Sequence, residues 1–185
     1  MRNLLNIKTR QEFRDWLEQN HNKETECWVV LQKGKPTDYG LWYLDFVEEA
    51  LCFGWIDSVH KNIDGFGHAQ KFSPRTSKSP WSELNKERVR RLERLGLMTN
   101  AGRKVLPDMN APFVIDEDIL ELINSDKTLH DNFYSFPELY QRIRLNSIQR
   151  ERKKPEVFER MKKTFVEKTR QGKMYGSWND YGRLN

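Results

Sequence analysis

Long apolar runs are missing from this chain, and only two cysteines and four histidines occur among its 185 residues. Runs such as Trp28-Val-Val-Leu31 are far short of the roughly 20 apolar residues a membrane-spanning helix needs, so no membrane insertion is expected. The stretch MRNLLNIKTRQEF at the start has no extended apolar core and no small-residue cleavage site, and a cytoplasmic location is expected. Cys27 and Cys52 each sit in apolar surroundings and read as buried small hydrophobes rather than as a disulfide. His21, His60, His68 and His130 show no zinc-like spacing, so neither a metal nor another cofactor is expected. Familiar catalytic motifs are absent as well. There is no G-x-S-x-G elbow, no phosphate-binding G-x-x-x-x-G-K-[ST] loop and no G-x-G-x-x-G.

What the chain has in quantity is charge and aromatic rings. Charged residues make up 32% of it, and Trp, Tyr and Phe total 22, too many rings for a disordered chain. The net charge of +5 is unevenly spread. Residues 38–64 carry six acids against one lysine, a net of −5, and residues 108–138 carry eight acids against one lysine, a net of −7. Between and after them, residues 75–104 reach +6 and residues 141–173 reach +8. Internal charge complementarity is the first reading of this alternation; two basic surfaces for a nucleic acid are the second.

Helical and strand periodicities divide the chain. Thr9 and Glu12 form a T-x-x-E capping box ahead of Phe13, Trp16 and Leu17, which predicts a helix over 9–20. Glu26–Gln32 reads as a buried strand and 34–40 as a turn. A second helix over 44–53 is stopped by Gly54. Alternation around Val59–Ile63, a turn at Asp64–Gly67 and a return through His68–Phe72 predict a hairpin. The next helix is expected to begin with Ser79 as N-cap and Pro80 in the first position, and to end at Gly96. Thr99 or Asn100 caps a short helix, and everything from Asp116 reads as helices, closed by an aromatic tail around Tyr175, Trp178 and Tyr181. The prediction is an α+β fold, with a small antiparallel sheet and helices over 1–106 and a helical region over 107–185.

The stretch FSPRTSKSPWSELNK at 72–86 is the first candidate site. A helix start offers unpaired N–H groups and the positive end of the helix dipole, where anions bind. Arg75 adds a planar fork and Lys78 a point charge, Ser79, Ser82 and Asn85 add polar groups, and Trp81 adds a flat face. In ALCFGWIDS at 50–58, Asp57 follows Trp55 and Ile56 next to the end of a helix. A hairpin could return Arg75 to Asp57, giving an ion pair or, in an enzyme, an acid–base group beside an anion-stabilising cation.

The segments EEALCFGWIDS at 48–58, KFSPRTSKSPWSELNKERVRRLERLGLMTNAG at 71–102 and the helical stretch 133–174 together resemble the YdeI/OmpD-associated family, also called bacteriocin-protection proteins. Two positions depart from that pattern. Thr76 stands where a second basic residue is expected, and Asn100 where a proline is usual. The resemblance implies a bacterial protein linked by name to bacteriocin tolerance and an outer-membrane porin, and it brings no agreed catalytic residues. The combined expectation is a binding protein whose cleft holds a small anion against Trp55, Asp57, Arg75, Lys78, Ser79, Trp81, Ser82 and Asn85. The alternatives are an enzyme using Asp57 and Arg75, and a nucleic-acid binder using 75–104 and 141–173.

Overall fold

The computed structural model describes residues 2–31 and 41–184; the turn read at 34–40 lies outside them. The α+β expectation holds: a four-stranded sheet occupies the N-terminal half and helices fill the remainder. Two compact units result. One comprises residues 1–80 and 88–109, the other 81–87 and 110–185.

In the first unit, α1 (Arg10–Asn20) starts where the capping box placed it. Thr9 Oγ1 accepts from the Glu12 N–H at 3.1 Å, while the Glu12 carboxylate reaches back to the Lys8 N–H at 2.8 Å. β1 (Leu4–Leu5), which the periodicity did not predict, runs parallel to β2 (Cys27–Val30). A two-residue strand has no alternation to read, and its partner lies 24 positions away. α2 (Tyr43–Cys52) leads through Gly54 into the hairpin of β3 (Trp55–Ile63) and β4 (Gly67–Pro74). The sheet order is β1-β2-β4-β3. A bulge between Asp57 and His60 breaks the ladder of the β3–β4 pair, and both strands run longer than the alternation around 59–72 suggested.

Aromatic residues fill the core between α1, α2 and the sheet. The Phe13 ring meets Phe46 edge-on at 5.3 Å and Phe72 at 5.6 Å, and Trp16 meets Trp55 edge-on at 5.7 Å. Each large apolar side chain buried in this way contributes roughly 1.5–3 kcal/mol. Cys27 and Cys52 are buried free thiols. Burial, followed by the nearby Glu49 charge, pushes the Cys52 thiol up to about 12, far from a reactive thiolate.

Above this core lies a charged layer. Glu48 and Glu49 of α2 are almost completely enclosed. Arg10 holds Glu48 at 2.7 Å and Glu49 at 2.5 Å, Arg14 holds Glu49 at 2.9 Å, and Arg91 holds Glu48 at 2.8 Å. Burial alone would lower the Arg10 affinity for its proton, but Glu49 and Glu48 outweigh burial and raise it. Arg91 comes from α3 (Glu83–Arg94), of which residues 88–94 belong to this unit.

On the sheet, Glu26 is held at about 2, against an ordinary 4.5, chiefly by hydrogen bonding to Lys71, then to the Arg2 backbone N–H and the Trp28 indole. The Lys71 pair spans 2.5 Å. A carboxylate lowered on folding stabilises fully above its unfolded value and loses that contribution as pH falls toward the folded one. The Glu26 contribution is therefore complete at neutral pH and fades between about 4.5 and 2. Lys71→Met is expected to move the Glu26 carboxyl titration, followed by NMR, upward toward the ordinary range. A titration unchanged by the substitution would show that Lys71 does not hold it.

The second unit stacks α5 (Glu117–Asn124), α6 (Lys127–Ser135), α7 (Glu138–Gln149) and α8 (Pro155–Arg170). Ile119, Ile123, Leu129, Phe133, Leu145, Ile148, Phe158 and Phe165 form its core. The first turn of α3 belongs here too: the Glu83 N–H donates to Asn146 Oδ1 at 3.0 Å, and the Glu83 carboxylate meets Arg142 at 3.2 Å. The aromatic tail folds onto α7. The Arg144 guanidinium lies 3.9 Å over the Tyr175 ring and donates to the Tyr175 carbonyl, while Trp178 meets Tyr140 edge-on at 5.6 Å.

Candidate functional site

The eight candidate residues divide between the units. Trp55, Asp57, Arg75, Lys78 and Ser79 fall in the first, and Trp81, Ser82 and Asn85 in the second.

The helix start itself is filled by the chain. α3 begins at Glu83, three residues after Pro80. Ser82, not Ser79, caps it: Ser82 Oγ accepts from the Asn85 N–H at 3.1 Å and its carbonyl from the Lys86 N–H at 3.0 Å. Ser79 is engaged in the other direction. Its Oγ accepts from the Thr76 N–H at 3.0 Å and its own N–H donates to the Thr76 carbonyl at 3.0 Å, closing a turn in which Lys78 is exposed. In the first turn of α3 the protein supplies its own anion, the buried carboxylate of Glu83, paired with Lys86 at 2.8 Å.

Asp57 and Arg75 do not pair. The ladder sets Asp57 against Phe72 and Trp55 against Pro74, so the strand returns Arg75 to Gly54, whose carbonyl accepts from the Arg75 N–H at 2.8 Å. Three ladder positions separate Asp57 from Arg75, roughly 10 Å at 3.3 Å per residue. The Asp57 carboxylate accepts from the Tyr43 hydroxyl at 2.5 Å. Arg75 is 7% exposed and donates from Nη1 to the Pro80 carbonyl at 3.3 Å.

Two of the candidates, Trp55 and Arg75, line an open recess of about 490 Å³ within the first unit. The ends of five elements meet there. α1 contributes His21 and Asn22 just past its end, α2 contributes Phe53 and Gly54, β3 and β4 contribute Trp55, Pro74 and Arg75, and α4 (Asn100–Arg103) with its exit contributes Asn100, Ala101, Lys104 and Val105. Close backbone packing builds this floor. Thr99 caps α4 and donates its hydroxyl to the Cys52 carbonyl at 2.6 Å, tying α4 to the end of α2. Gly54 adopts φ +75, and a Cβ there would stand 3.0 Å from the Ala101 carbonyl oxygen. The lining contains a guanidinium, an ammonium, an imidazole and two amides, and no carboxylate. His21, Asn22 and Lys104 had no motif to reveal them, because they come together only when elements some 80 residues apart fold onto one another.

Residues 5–105, more than half of the chain, match a sequence family described as a domain of unknown function, DUF8412. The chain belongs to that family. Residues 112–172 match the family described as bacteriocin-protection, YdeI or OmpD-associated, so the resemblance seen in the sequence is shown over the helical part. The GWID and PRTSKSPWS motifs lie within the DUF8412 match, whereas most of the 133–174 segment lies within the YdeI/OmpD-associated one. No curated protein and no solved structure matches the chain. The recess is thus a feature of the DUF8412 part.

Proposed function

We propose that the protein is a cytoplasmic bacterial binding protein that takes a small anion into the recess between the ends of α1, α2 and α4. One observation carries this reading: a recess of about 490 Å³ whose side chains include Arg75, Lys104 and His21 and no carboxylate. Its volume falls in the range of about 300–1,000 Å³ found for small-molecule sites, and the apolar wall of Phe53, Pro74 and Val105 strengthens charge interactions by lowering the local dielectric. Cys27 and Cys52 form no disulfide, in keeping with a reducing compartment.

The two alternatives have less support. Asp57, the acid an enzyme would use, is engaged by Tyr43 and is not part of the recess lining. Many cations of the two basic segments meet acids of their own unit. Arg91 meets Glu48 and Arg103 meets Glu93 in one unit; Arg142 meets Glu87, Arg152 meets Asp116, and Arg170 meets Asp126 in the other. That is the internal complementarity first read from the charge pattern, and it leaves less free charge for phosphates.

A thermal-shift panel tests the proposal, using phosphate, sulfate, nucleotides and a short single-stranded oligonucleotide on wild type, Arg75→Ala and Lys104→Ala. A ligand that binds only the folded state adds about 2.7 kcal/mol at a hundredfold excess over its Kd. At least one small anion is expected to raise the wild-type midpoint and to do so less in the Lys104→Ala protein, whose exposed site tolerates the change. No shift with any anion overturns the proposal. A shift with the oligonucleotide alone, disappearing steeply with added salt, would favour the nucleic-acid reading.

A further inference from the structure

We infer that the ligand of this recess carries a hydroxyl as well as its negative charge, a small hydroxy acid being the simplest case, and that His21 reads the hydroxyl. The inference rests on the anion-binding reading above. The cations of the recess, Arg75 and Lys104, can only donate hydrogen bonds. His21 differs. Its Nδ1 stands 2.9 Å from the Leu17 carbonyl oxygen, and a carbonyl only accepts, so Nδ1 carries the proton. In the neutral ring the second nitrogen, Nε2, then presents a lone pair.

Nothing else in the described structure uses that lone pair. The one side-chain hydrogen bond of His21 is the bond to Leu17. The ring is also fixed in place. The His21 N–H donates to the same Leu17 carbonyl at 2.8 Å, the Trp55 indole N–H donates to the His21 carbonyl at 3.2 Å, and the ring packs against Phe53 at 5.4 Å with a tilt of 49°. A fixed acceptor on a residue that lines the recess, beside the cationic donors of Arg75 and Lys104 and the amides of Asn22 and Asn100, matches a ligand that is anionic at one point and donates an O–H at another. The Phe53, Pro74 and Val105 wall suits an apolar body between the two. A simple inorganic anion such as sulfate only accepts hydrogen bonds and makes none to that lone pair, so a ligand with a hydroxyl gains one hydrogen bond over it.

Isothermal titration with a matched pair, mandelate and phenylacetate, separates these cases, with phosphate as the reference anion. The two acids differ by one hydroxyl. Wild type is expected to bind mandelate about tenfold more tightly, the size of one net neutral hydrogen bond. In His21→Asn the amide nitrogen takes the place of Nδ1 and keeps a donor toward Leu17, while the Nε2 acceptor is removed. That variant is expected to bind both acids with Kd values within twofold of each other. Equal wild-type affinities overturn the inference and leave the anion-binding reading intact. A preference that survives in His21→Asn overturns it too, since another group then reads the hydroxyl. If neither acid binds, the inference fails, and the phosphate titration shows whether the underlying reading fails with it.

Discussion

Glu48→Ala is expected to destabilise the N-terminal unit by about 3–5 kcal/mol, the range for removing one partner of a buried ion pair. Glu48 is fully enclosed and bridges Arg10 and Arg91 at 2.7 and 2.8 Å. Without it, Arg91 loses the carboxylate it meets, and Arg10 is left with Glu49 and Asp45 alone. The effect should appear as faster hydrogen exchange at the amides of α2 and of α1, which packs against it, with the Phe133 and Phe165 core of the helical unit as an internal control. Replacing both Glu48 and Arg91 by methionine is expected to recover part of the loss, because apolar side chains of similar length remove the charges together. Arg10 keeps Glu49 and Asp45 as partners in that variant. Wild-type exchange rates in Glu48→Ala would show that the charged layer is stabilised by something other than this bridge.

Gly102→Ala is the second large effect expected, about 3 kcal/mol, at the upper end of the usual overpacking cost. A Cβ on residue 102 would lie 2.4 Å from the Cys52 carbonyl oxygen and 2.8 Å from that of Leu51. Both are backbone atoms at the end of α2, so no side chain can swing aside. The helix ends must part, and the Thr99 cap on the Cys52 carbonyl goes with them. A change in Gly102→Ala no larger than that of the exposed neighbour Asn100→Ala, compared by thermal unfolding, would mean that the contact relaxes at no cost. The variant also bears on the recess, because Asn100, Ala101 and Lys104 are carried on the element that would move.

These two sites show what the sequence could and could not disclose. Thr9 with Glu12, the apolar stripes of the helices and the glycine-marked hairpin are local signals, and the elements follow them to within a few residues. Ser79-Pro80 was a false start for α3 because two serines compete there, and only hydrogen bonding to Thr76 on one side and Asn85 on the other decides which one caps. Register was equally hidden. Hairpin logic brings Arg75 back to the start of β3, but the position of the turn decides whether it meets Gly54 or Asp57. The buried acids of α2 carry no local sign of burial either: Glu48 and Glu49 read as an ordinary charged pair until α1 and α3 bring three arginines to them. Of the recess, Trp55 and Arg75 were legible through their motifs, and His21 and Lys104 were not.

The division of α3 between the units has a consequence for how the chain is made. Residues 81–87 belong with the helices of 110–185, yet Glu83 leaves the ribosome 63 residues ahead of Asn146, the residue that accepts from its N–H. At about 5–20 residues per second, that is a wait of roughly 3–13 s. Over the same interval the neighbouring turns of α3 already have Glu48 available to Arg91, and the rest of the α+β unit can close around them. The C-terminal turns of the nascent helix can therefore be anchored first, while the local Ser82 cap holds its opening turn and the bonds of Glu83 to Asn146 and Arg142 wait until α7 has been made.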